Sequence, residues 1–110
     1  MPTHGKLDYV EFPAHDLDAT RRFFAQAFGW TFEDYGPDYM AFGGEGLDGG
    51  FYRADLQSRS EAGGALLVFY SARIEETLAQ VEAAGGTILK PVFEFPGGRR
   101  FHFAEPSGNE

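Results

Sequence analysis

From Leu7 to Phe12 the chain alternates in character. Val10 and Phe12 fall on one side and Leu7, Tyr9 and Glu11 on the other, the period of a strand with one apolar face. The period then lengthens. Leu17, Thr20, Phe24 and Ala27 step by three and four residues, and Phe23 and Phe28 widen the stripe, which predicts an amphipathic helix. Asp16 suits its N-cap, Asp18 the positive end of its dipole, and Gly29 its stop. Trp30–Glu33, Tyr39–Phe42 and Phe51–Arg53 read as strands, turned by Gly36-Pro37-Asp38 and by the glycine-rich stretch 43–50. Residues 54–64 are polar and without period, as a linker would be. Then the pattern restarts. Ala65–Tyr70 predicts a strand, and Ile74, Thr77, Leu78, Val81 and Ala84 predict a second helix, with Glu75 and Glu76 in its first turn and Gly85-Gly86 at its end. Thr87–Leu89 and Arg100–Ala104 predict strands either side of a Pro/Gly stretch.

The restart is an internal repeat. A shift of 57 residues places Val10 on Leu67, Phe12 on Phe69, Leu17 on Ile74, Phe24 on Val81 and Gly29 on Gly86. Apolar falls on apolar, Asp18 falls on Glu75, and the two helix stops coincide. The expected fold is α+β, two βαβββ units: residues 1–53, a linker at 54–64, and a second unit at 65–110. That second unit reaches its turn, Glu105-Pro106-Ser107-Gly108-Asn109, and its final strand is missing from the chain. A longer natural chain is the favoured expectation, and a strand supplied by a partner the other.

Composition narrows the function classes. A chain of 110 residues has room for one domain, and 43% hydrophobic residues with 12 Phe can build a core. There is no cysteine, so disulfides and thiolate metal sites are excluded. The polar leader Met1–Lys6 does not resemble a signal peptide, and no apolar run is long enough for a membrane span, so a cytoplasmic protein is expected. A formal charge of −8 offers no basic footprint for nucleic acid and argues against anionic membranes. Arg99-Arg100, after Gly97-Gly98, reads as a solvated hairpin tip.

The repeated unit, the run His15-Asp16-Leu17-Asp18 opening the first helix, Phe23-Phe24 within it, Phe28-Gly29-Trp30 after it and the closing turn Glu105–Asn109 together resemble the vicinal oxygen chelate superfamily of glyoxalases, extradiol dioxygenases and bleomycin-resistance proteins. The resemblance covers nearly the whole chain. It departs at Arg73, where an acid usually opens the second helix, and at Glu105, where the turn usually carries Asp. It implies curved mixed sheets around a cleft, a small-molecule ligand, completion by a homodimer, and in many members a divalent metal held by the first and last strands of each half.

Those strand positions are poor in donors. The first-strand places fall on Tyr9 and Leu66, and the first half's last strand offers Phe51, Tyr52 and Arg53. Leu has no donor, and a phenol ligates weakly beside imidazole or carboxylate. A catalytic metal wants about three protein ligands, so the expectation is no cofactor, with a divalent metal in an atypical set on Glu11 and His102 as the alternative. Glu11 shares strand parity with Tyr9, and His102 lies between Phe101 and Phe103 and faces away from both. A carboxylate among Tyr9, Leu66 and Val68 is poorly solvated, which disfavours its charged form, and a Glu–His pair could act as acid and base. The plainer readings are a strand glutamate satisfied by backbone or water, and a structurally hydrogen-bonded histidine. Tyr9, Tyr39 and Tyr70 could stack on a planar ligand or simply pack; His4 and His15 are read as exposed and Trp30 as core. The candidate ligand-binding set is therefore Tyr9, Glu11, Leu66, Val68, Tyr39 and His102. A small-molecule-binding protein is the favoured reading, against a metal-dependent lyase or dioxygenase of the glyoxalase type.

Overall fold

The computed structural model describes residues 2–110, so the first residue of the polar leader, Met1, lies outside the described residues. The elements run β1 (Tyr9–Ala14), α1 (Leu17–Phe28), β2 (Phe32–Asp34), β3 (Tyr39–Phe42), β4 (Asp48–Arg53), a short 3-10 turn (Ser60–Ala62), α2 (Ile74–Ala83), β5 (Thr87–Phe95) and β6 (Gly98–Ala104). The first sheet has the order β1-β4-β3-β2, with β1 and β4 parallel and the other pairs antiparallel. The second sheet is the β5-β6 hairpin. This is the α+β class expected, with two helices, one mixed four-stranded sheet and one antiparallel hairpin.

α1 forms where the pattern places it. The Asp16 carboxylate accepts from the Ala19 N–H at 3.0 Å, and Gly29 takes the left-handed conformation, φ 73°, that lets its N–H reach back to the last turn. Its buried face is Leu17, Thr20, Phe23, Phe24 and Ala27. Met40, Phe42 and Phe51 complete the core from the sheet, and Val10, Phe12 and Trp30 pack against it. Phe23 is fully enclosed and meets Phe24, Phe28 and Phe103, so the aromatic cluster ties the helix to β6 of the second half.

The second half is built differently. α2 buries only Val81. The expected strand at Ala65–Tyr70 does not form: the backbone of this stretch joins no ladder. The physical reason lies in the first half, where β1 is a strand because β4 lies beside it. Among the described residues no counterpart of β4 lies beside Ala65–Tyr70, and a lone extended segment has no hydrogen-bond partner to hold it. In contrast β5 runs well past the expected Thr87–Leu89, because register irregularities between Ile88 and Phe93 absorb the Pro91 that would break a regular strand. β4 likewise begins at Asp48, inside the glycine-rich stretch read as a turn. The hairpin tip is less bare than expected. Arg99 pairs with Glu75 at 2.6 Å, and the Arg100 guanidinium lies 4.9 Å from the Phe95 ring centre.

Candidate functional site

The register of the first sheet decides which side chains share its outer face, the one turned away from α1. Tyr9 stands level with Asp48, Glu11 with Gly50, Tyr39 with Tyr52, and Ala41 with both Gly50 and Glu33. Val10, Phe12, Met40, Phe42 and Phe51 point the other way, into the core or against it. The alternation read from Leu7–Phe12 therefore separates the two faces as expected, with the strand itself displaced to Tyr9–Ala14.

On that outer face three side chains form a hydrogen-bonded row. Tyr39 Oη lies 2.8 Å from Glu11 Oε2 and 2.5 Å from Tyr9 Oη. Tyr39 reaches Glu11 by crossing β4, and Gly50 makes the crossing possible. A Cβ at Gly50 would overlap the Tyr39 phenol oxygen and lie 2.5 Å from its Cζ. Burial, then the hydrogen bonds with Tyr9 and Glu11, hold the Tyr39 phenol well above its ordinary range, so it stays protonated. Nearby, hydrogen bonding to the Glu33 carboxylate and then its charge push the Tyr35 phenol up as well. The Tyr35 and Tyr39 rings meet edge to face with centroids 6.5 Å apart.

The structure divides the six candidate residues. Tyr9, Glu11 and Tyr39 come together on the first sheet. Leu66, Val68 and His102 do not join them; they line a groove of about 960 Å³ floored by Phe12, Trp30 and Phe51, on the opposite side of β1. Glu11 is solvent-exposed rather than shielded by Leu66 and Val68. His102 does face away from Phe101 and Phe103, but it is 6% exposed and its Nδ1 lies 2.9 Å from Glu110 Oε2. Glu11 and His102 thus have separate partners and form no acid–base pair. Tyr70 is 92% exposed and lies in neither ring cluster, whereas Trp30 stacks between Phe24 and Phe42 as a packing residue.

Residues that pattern reasoning passed over hold the halves together. Ser107 Oγ donates to the Asp16 carbonyl at 3.1 Å and lies 2.7 Å from Thr20 Oγ1. The Asn109 amide donates to the Pro13 carbonyl at 2.6 Å, and its Oδ1 accepts from the Ser58 N–H at 2.8 Å. Glu110 accepts from Ser60 as well as pairing with His102, and these partners hold its carboxyl below the usual range, the His102 hydrogen bond first. Desolvation pushes Glu105 up. The presumed linker is therefore bonded to the closing turn. Gly50 and this clasp were not visible in the sequence, because each depends on which residues the fold brings level.

Among the described residues no three His, Cys, Asp or Glu side chains gather into a group able to hold a metal ion. The first-strand positions, Tyr9 and Leu66, do not supply the donor set that the superfamily's metal would need.

A family model for the glyoxalase/bleomycin resistance protein/dioxygenase superfamily matches residues 6–110. The chain belongs to that superfamily. Its fold is similar to a glyoxalase-related enzyme from Fulvimarina pelagi, with 21% identity, TM-score 0.70, and 96% of this chain and 84% of that one covered. It is also similar to a lactoylglutathione lyase from Agrobacterium tumefaciens, with 22% identity, TM-score 0.70, and coverage of 96% and 89%. A superfamily enzyme from Burkholderia phytofirmans PsJN gives 18% identity, TM-score 0.70, and coverage of 96% and 94%. Identities this low speak for the fold alone. No curated protein matches the chain.

Proposed function

We propose that this superfamily member binds a small organic molecule on the outer face of its first sheet, without the metal many members use. The observation that carries the reading is the Tyr9–Tyr39–Glu11 row laid over Gly50. A strand glycine that gives up its side chain to let a tyrosine cross it costs strand propensity, and the return is a row of polar groups and rings held in one geometry. Pre-ordered aromatic and polar groups of this kind bind ligands at low entropic cost. The face is open in one chain, with Tyr9 46% exposed, and a second copy placed against it would close it into a cleft. A homodimer is therefore part of the proposal, and the molar mass in solution tests it.

Ligand screening by equilibrium binding, with Tyr9→Ala and Glu11→Ala alongside the unaltered chain, tests the site. Ligands that lose affinity in both variants support it, whereas ligands that bind all three proteins equally remove the assignment. Elemental analysis of protein purified without a chelating tag tests the metal. About one Zn, Ni, Fe or Mn per chain would overturn the metal-free reading, since known catalytic sites hold about one ion on three ligands.

A further inference from the structure

We infer that the Tyr9–Tyr39–Glu11 face selects a planar organic cation that carries N–H donors, such as an amidinium or guanidinium attached to a ring. The inference rests on the reading of that face as a ligand site and names the ligand's chemistry. It follows from counting protons. The Glu11 carboxylate only accepts, so the single Tyr39 hydroxyl proton is committed to it across 2.8 Å. The contact between Tyr9 and Tyr39 must then be Tyr9 donating to Tyr39. Every proton in the row points toward Glu11, and the row has no donor left for a ligand. What it offers is a lone pair on Tyr9 and the free oxygen of Glu11.

The surroundings agree. The positions that share this face on the four strands hold acids, tyrosines and small residues and no Lys or Arg. Only the Tyr52 hydroxyl, level with Tyr39, stands outside these pairs as a donor. An anionic ligand would meet the carboxylates of Glu11, Glu33 and Asp48 and no compensating charge. A cation would meet a carboxylate oxygen and the faces of tyrosine rings, which attract cations through their quadrupoles. The net charge of −8 draws the same class of molecule toward the chain.

Three ring compounds of one shape and different charge make the test: benzamidine as the cation, benzamide as the neutral form and benzoate as the anion. Each is titrated at neutral pH into the full chain, and backbone amide shifts are followed by NMR. The expected result is that benzamidine shifts the amides of β1, β3 and β4 with an affinity at least about tenfold above that of benzamide, as one charge-assisted bond allows, while benzoate shifts nothing. Glu11→Gln should bring benzamidine down to the level of benzamide. A preference that survives Glu11→Gln overturns the inference, as does benzamidine binding away from these strands. Equal binding of all three compounds on this face overturns the cation preference and leaves the binding face intact. If none of them shifts these amides, the preference and the binding face fall together.

Discussion

The two halves repeat one sequence pattern, yet they bury their helices to very different depths. α1 encloses five residues against a four-stranded sheet, whereas α2 encloses Val81 alone beside a two-stranded hairpin. Both helices repeat apolar positions every three and four residues, α1 the more sharply. What differs is the strand between the outer pair. In the first half β4 lies between β1 and β3 and brings Phe51 into the core, 1% exposed. In the second half the stretch equivalent to β1 has no such neighbour, and Val68 and Tyr70 stand 68% and 92% exposed. An amphipathic helix becomes buried only as far as the sheet beneath it is complete.

Phe23→Ala should break this contrast most severely. The ring is fully enclosed and touches both halves, so its loss should cost roughly 3–5 kcal/mol in denaturant unfolding and lower both halves together. If the first half unfolded independently of β6, the shared-core description would be wrong. Ser107→Ala comes next, at about 2 kcal/mol, because it leaves Thr20 and the Asp16 carbonyl short of a buried partner. A loss below 0.5 kcal/mol would show that the clasp is not what joins the closing turn to α1.

Gly50→Ala sharpens the comparison at the site and not in the core. The displaced atom is the tip of a side chain, so the cost should be only about 1 kcal/mol. Tyr39 should swing away from Glu11, and its phenol should titrate nearer to the usual value of about 10 in an absorbance titration. The sign follows from linkage. The folded chain holds this proton more tightly than the unfolded chain, so the contribution to stability is complete below about pH 10 and is lost as pH rises further. The variant should therefore lose less stability than the parent in strong alkali; an unchanged Tyr39 titration would remove the crossing geometry. Val68→Ser should have the smallest effect, within about 0.5 kcal/mol, since the side chain is exposed in one chain. A much larger loss would mean that this stretch is covered in solution.

Much of the fold was legible residue by residue. The stripe Leu17, Thr20, Phe24 and Ala27 is the buried face of α1, and Asp16 and Gly29 cap it as their chemistry required. Those are local facts, written in spacing and in the few residues able to cap or to take a positive φ. The side that Tyr9 and Glu11 share was legible too, because strand parity is local. Tyr39 was a candidate as well, but its contact with them was not legible. Tyr39 stands 28 residues from Glu11, and only the order β1-β4-β3 with a glycine in the middle strand brings the two into contact.

His102 shows the same division. Its direction, opposite Phe101 and Phe103, followed from alternation; its partner, Glu110, and its distance from the Glu11 row depended on how the closing turn folds back. The strand expected at Ala65–Tyr70 failed for a related reason. Its composition suits a strand, but a strand exists only as half of a pair, and pairing is settled by what else reaches that place. The sequence by itself determined the two helices, the caps of α1, the two faces of β1 and the repeat. Only the tertiary structure decided which strands found neighbours and which polar groups met, because those bonds join residues far apart in the chain, and nothing local specifies them.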